Sequence, residues 1–83
     1  MATQSAVQGD IIRLLGEKIE GDISLNAETN IVADTGLDSV SVMDFVFELE
    51  DEFGITVPLD RISDVKTIGQ LSDAIYAIIQ EDS

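Results

Sequence analysis

Apolar residues recur along most of the chain at helical spacing. Val7, Ile11, Leu14, Leu15 and Ile19 stand three and four residues apart, which marks one face of a first helix. Ser5 and Gln8 fit a capping box at its start, and Gly21 supplies a stop. From Asp22 to Asp38 the periodicity breaks, yet Ile23, Leu25, Ile31, Val32 and Leu37 are spread through the stretch. A connection this long in a small domain is packed down or functional rather than a bland linker. Asn30 and Asp34-Thr35-Gly36 give it turn chemistry.

A second helix is predicted from about Ser39 to Phe53, with Asp38 as its N-cap and Gly54 as its left-handed stop. Ile55-Thr56-Val57-Pro58 is extended in character, but a single strand would have nothing to pair with. It reads as a loop leading to a short helix near Leu59 to Ser63, with Pro58 at its first turn. Thr67 and Gln70 form a further capping box, and Ile68, Leu71, Ile75, Ile78 and Ile79 line the last helix. The fold class is therefore all-α: a small bundle of three main helices plus one short helix, with a long packed loop between the first and second. The chain, 1–83, reads as one domain, ordered from about residue 5 to 80.

Charge and composition narrow the chemistry. Seventeen acidic residues face four basic ones, a net charge of −13. Such a surface repels nucleic acid and anionic membranes and suits partners with basic patches. With no Cys there is no thiolate nucleophile, disulfide or Cys-based zinc site, and with no His the commonest general base is missing. Any thiol chemistry must use a sulfur attached from outside. A calcium sensor would need an Asp-x-Asp-x-Asp-Gly loop with Glu at its twelfth position, and no such loop is present. No specific metal site is expected. The longest apolar run, Ala74 to Ile79, cannot span a bilayer, and residues 1–9 lack signal-peptide character. The expectation is a cytoplasmic monomer that does not insert into membranes.

The second helix is the most informative segment. At 100° per residue, Val42, Phe45, Val46, Leu49 and Phe53 share a core stripe. Asp44, Glu48, Asp51 and Glu52 form an acidic face, and Val40, Met43 and Phe47 a second apolar strip, with Glu50 between that strip and the core. The strip reads either as extra buried surface or as a face offered to partner proteins. Ser39 follows the turn, at the start of this helix. A serine there is ordinarily a capping or first-turn residue. It is also exposed at the positive end of the helix dipole, where a phosphodiester would be favoured. No base is at hand to make it a nucleophile in its own right.

Asp34, Gly36, Asp38, Ser39 and Val40 together resemble the Asp-x-Gly-x-Asp-Ser-aliphatic stretch of the acyl carrier proteins, the phosphopantetheine-dependent carriers. The acidic helix ending Glu50-Asp51-Glu52-Phe53-Gly54, the segment Ile55-Thr56-Val57-Pro58, and Thr67-Ile68-Gly69-Gln70-Leu71 resemble the family's pattern in order and spacing. The resemblance runs from about Val7 to Ile79.

The resemblance implies a non-catalytic carrier. A 4′-phosphopantetheine arm, donated by coenzyme A through a phosphopantetheinyl transferase, would be esterified to Ser39, and its thiol would hold an acyl group as a thioester. Partner enzymes of lipid or fatty acid biosynthesis would approach with basic docking patches. The matching positions here are Asp38, Asp44, Glu50 and Asp51, with Val40, Met43 and Phe47 as apolar contacts. The bundle interior would be able to shelter the acyl chain. Val40 stands where Leu is more usual, Ser41 where Asp is frequent, and Phe45 and Phe47 add aromatic bulk. These departures point to a dedicated carrier for a specialised lipid pathway. The alternatives are an unmodified acidic interaction module, or a polyketide or aminoacyl carrier.

Overall fold

The computed structural model describes residues 3–19 and 24–81. Four helices follow one another: α1 (Gln4–Gly16), α2 (Ser39–Phe53), α3 (Leu59–Ile62) and α4 (Ile68–Glu81). The all-helical class and the order of three long helices and one short one match the sequence-based expectation.

The start of α1 differs from it. Thr3, not Ser5, is the N-cap: it is extended, and its hydroxyl accepts from the Ala6 amide at 3.1 Å. Both residue types can cap, so the first one met with free amides ahead of it takes the role, and Ser5 falls inside the first turn. The helix ends at Gly16 and closes in a turn in which the Lys18 amide donates to the Leu15 carbonyl. Gly21, the expected stop, lies outside the described residues, as do Asp22 and Ile23.

The core is drawn from every long helix. Val7, Ile11 and Leu15 of α1 meet Phe45, Val46 and Leu49 of α2 and Ile68, Leu71, Ile75 and Ile78 of α4. Two connections add to it. Ile31 from the α1–α2 loop is buried, as are Ile55 and Val57 on either side of exposed Thr56. That alternation is the period-two pattern of extended chain, used here to cover a bundle without pairing into a sheet.

The long loop is tied to the start of α4 by backbone. The Ile31 amide donates to the Lys66 carbonyl (2.8 Å), Ile68 to Thr29 (3.0 Å) and Gly69 to Ala27 (2.9 Å). Gly69 is needed for this approach, because a Cβ there would stand 3.0 Å from the Ala27 carbonyl oxygen and 3.2 Å from its Cβ. The capping box of α4 is as read from sequence. Gln70 N–H donates to the Thr67 hydroxyl, and the Gln70 side-chain oxygen accepts from the Thr67 and Lys66 amides. The two predicted caps of α2 also form, at Asp38 and at left-handed Gly54 (φ 66°).

Candidate functional site: the start of α2 and the groove beside it

The turn leading into α2 is held by its own short polar side chains. The Asn30 side-chain oxygen accepts from the amides of Val32 (3.0 Å) and Ala33 (2.7 Å). Asp34 accepts from the Asn30 amide at 2.8 Å, and the Thr35 hydroxyl donates to the Ile31 carbonyl. Gly36 then adopts φ 77°, a left-handed conformation that reverses the chain at little cost only for glycine. Asp38 follows in extended conformation, and its carboxylate accepts from the Ser41 amide at 2.8 Å.

Ser39 is thus the first residue of a firmly capped helix, and it is exposed. The Ser39 and Val40 amides have no partner within the helix, since the first turn has no preceding carbonyls to bind. Together with the helix dipole they make a favourable setting for a phosphodiester on the Ser39 hydroxyl. The serine also borders an apolar groove of about 300 Å³, lined by Val32, Val42, Met43, Leu59, Ile62 and Ser63. Behind the groove lies a cavity of about 150 Å³. Ile31, Val46, Val65 and Leu71 form its apolar depth, and Val32, Val42 and Ile62 belong to both spaces.

The Asp38 carboxyl is held below its ordinary value, first by the hydrogen bond from the Ser41 amide and then by one from the Ser41 hydroxyl. A depressed carboxylate contributes stability that is present above the unfolded value and is lost as pH falls through the folded one. Asn also caps but does not titrate. The melting temperature of the wild type relative to Asp38→Asn should therefore fall between roughly pH 5 and pH 2. A difference independent of pH over that range would show that the Asp38 charge does not support the cap.

The predicted partner residues fall into three groups. Val40, Asp44, Phe47 and Asp51, at i, i+4, i+7 and i+11, form one exposed ridge within about 60° of helix surface. Val40 is 70% exposed and Phe47 57%, so the apolar strip is open at both positions. Met43 is half-buried and lines the groove. Glu50 is engaged elsewhere: half-buried, it accepts from the Val57 amide at 2.9 Å and bolts the extended segment to the end of α2. That bond engages one of its two carboxylate oxygens. The acidic face is also divided. Glu48 pairs with Lys18 (2.7 Å) and Glu52 with Arg13 (3.2 Å), both on the α1 side. Val32, Leu59 and Ile62 were not singled out as site residues, although exposed Leu59 directly after Pro58 was the available signal.

A family model described as the phosphopantetheine attachment site matches residues 6–75. The chain belongs to the acyl carrier protein family. It is 41% identical over 63 residues to a "Probable acyl carrier protein" of Caulobacter vibrioides, covering 76% of this chain and 69% of that protein. It is 30% identical over 82 residues to the chloroplastic acyl carrier protein 1 of Spinacia oleracea, covering 93% of this chain and 59% of that one. The structure of the acyl carrier protein of Enterococcus faecalis superposes with a TM-score of 0.76 at 29% identity, over 93% of this chain and 99% of that chain. As an acyl carrier protein the chain is non-catalytic and takes a covalent 4′-phosphopantetheine. Its partners are a phosphopantetheinyl transferase and acyl-handling enzymes. Among the described residues, no helix is long and apolar enough to cross a membrane, and no cluster of acidic side chains could hold a metal ion.

Proposed function

We propose that Ser39 carries the 4′-phosphopantetheine arm and that the chain presents acyl thioesters on it to enzymes of lipid or fatty acid biosynthesis. The observation that carries this reading is the placement of one exposed hydroxyl at the start of α2, bordering an apolar groove. The arm supplies the thiol that a chain without Cys lacks. The Asp34–Asp38 turn fixes the serine, and the first-turn amides offset the phosphodiester charge. The groove supports an apolar chain leaving that point. A chain with no His needs a separate enzyme to activate the hydroxyl. Exposed Phe47 on α2 supports a dedicated carrier with its own partner enzymes.

Incubation with coenzyme A and a phosphopantetheinyl transferase should add the mass of one arm. A chain whose mass stays unchanged would be an unmodified interaction module instead.

The ridge of Val40, Asp44, Phe47 and Asp51 is the docking face in this reading, with Asp38 at its head. Acidic residues there steer basic partners over long range. Asp44→Lys or Asp51→Lys should slow loading about three- to tenfold with helicity unchanged, and added salt should shrink the difference. Asp73→Lys is the control. Asp73 lies on α4 and accepts from the Gln4 side-chain amide, away from the ridge. Equal slowing by all three reversals would make net charge, not a local face, the determinant.

A further inference from the structure

Sulfur is scarce in this chain, which has two methionines and no Cys. Met1 lies outside the described residues, so Met43 is the single sulfur-bearing side chain among those described. It stands on α2 four residues after Ser39, one turn further along the same face. Met43 is half-buried, and it lines the groove that Ser39 borders. The other apolar lining of that groove comes from Val32, Val42, Leu59 and Ile62, all aliphatic and inert to mild oxidants.

Met43 also adjoins the ridge. It lies three residues after Val40 and four before Phe47, which are both exposed. Apolar surface therefore runs from the groove to the ridge by way of Met43. Helix α2 is capped at both ends, by Asp38 and by Gly54, so its backbone has little freedom to turn this position away. The groove is open to solvent, which gives a small neutral oxidant a path to the side chain. One oxygen atom changes the character of a thioether: the sulfide is apolar and the sulfoxide polar.

We propose that Met43 is an oxidation-sensitive switch in the groove wall beside Ser39. Hydrogen peroxide transfers one oxygen atom to the sulfur; the sulfur loses two electrons and becomes the sulfoxide, and the peroxide leaves as water. The sulfoxide then interrupts the apolar surface between groove and ridge. Methionine sulfoxide reductase reverses the step, its dithiol becoming a disulfide while the oxygen leaves as water. The consequence for loading rests on the carrier reading, since a transferase is what would use this surface.

The site is read by peptide mass in the full-length protein. Cleavage after Lys18 and Arg61 separates Met43, in the 19–61 peptide, from Met1. Treated with peroxide while folded, that peptide should gain one oxygen at a rate within about fivefold of the rate in concentrated urea. Stronger protection would overturn the site. Nile red, a neutral dye that fluoresces in apolar surroundings, reads the groove without any loading. Its affinity should fall about three- to tenfold on oxidation, and treatment with both sulfoxide reductases should restore it. In Met43→Leu, whatever its own affinity, the values before and after peroxide should be equal. Unchanged affinity in the oxidised wild type, an equal fall in Met43→Leu, or failure of the reductases to restore it would overturn the switch. So would helicity lost in step with dye binding, because the lesion would then be general unfolding.

The link to the carrier is read with coenzyme A and the transferase. Oxidation should lower kcat/KM for loading about three- to tenfold in the wild type, while the Met43→Leu value is the same before and after peroxide. An unchanged value in the oxidised wild type would overturn the switch as a control on loading. If the untreated protein does not load at all, the carrier reading fails, and peptide mass and dye binding still decide the oxidation site.

Discussion

Phe45→Ala is expected to remove most of the stability of the fold at room temperature. Phe45 is fully buried at the centre of α2, among the residues that α1 and α4 pack against. Truncating a buried Phe costs about 3–5 kcal/mol, from lost transfer energy and from the cavity left behind. A domain of this size has a total margin of only about 5 kcal/mol. Circular dichroism in increasing urea should show a shortened or missing folded baseline, and loading should fall in step with the folded fraction. Phe47→Ala, two residues along the same helix, is the comparison. Phe47 is 57% exposed, so its truncation should change stability by less than about 0.5 kcal/mol while weakening enzyme docking. A cooperative melt of Phe45→Ala within a few degrees of the wild type would mean that α2 is not anchored where the structure puts it.

Ser39→Ala should abolish loading altogether and leave the fold intact. The cap of α2 is Asp38, whose partner is the Ser41 amide, so no capping bond is lost with the Ser39 hydroxyl. Ala is the best helix former, and the change at an exposed first-turn position should stay within about 0.5 kcal/mol. Ser41→Ala keeps the amide that Asp38 binds and should still load. Intact mass after incubation with coenzyme A and transferase separates the two. Loading of the Ser39→Ala variant, or loss of loading in Ser41→Ala, would move the attachment point away from Ser39.

Most of the fold was legible because it rests on local rules. The helical stripes of α1, α2 and α4 follow from apolar spacing, and the caps at Asp38, Gly54 and Thr67-Gln70 from side chains that satisfy free backbone groups. Polar residues in the 30–36 stretch announced a turn, and the structure shows Asn30, Asp34 and Thr35 binding backbone within it. Choosing between two capping-competent residues, Thr3 and Ser5, depended on where the chain begins to wind, which spacing alone does not encode.

What escaped the sequence is tertiary. Glu50 looked like one more surface carboxylate, yet the returning chain brings the Val57 amide to it. Glu48 and Glu52 read as part of one acidic face, and α1 and the turn after it supply Arg13 and Lys18 to meet them. The exposed ridge of α2 is therefore a mixed row of two apolar and two acidic side chains, Val40, Asp44, Phe47 and Asp51. The groove at Ser39 needs α3 and the 30–36 turn to converge on α2, and no periodicity within a single helix reports such convergence.

The arm is expected on Ser39 and on no other serine. Cleavage of the loaded protein after Lys18 and Arg61 releases the 19–61 peptide, whose serines are Ser24, Ser39 and Ser41. Fragmentation of that peptide between Asp38 and Val40 should place the whole phosphopantetheinyl mass on Ser39, with Ser24 and Ser41 unmodified. Mass found on Ser41 or Ser24, or a 19–61 peptide of unmodified mass from a loaded protein, would contradict the account.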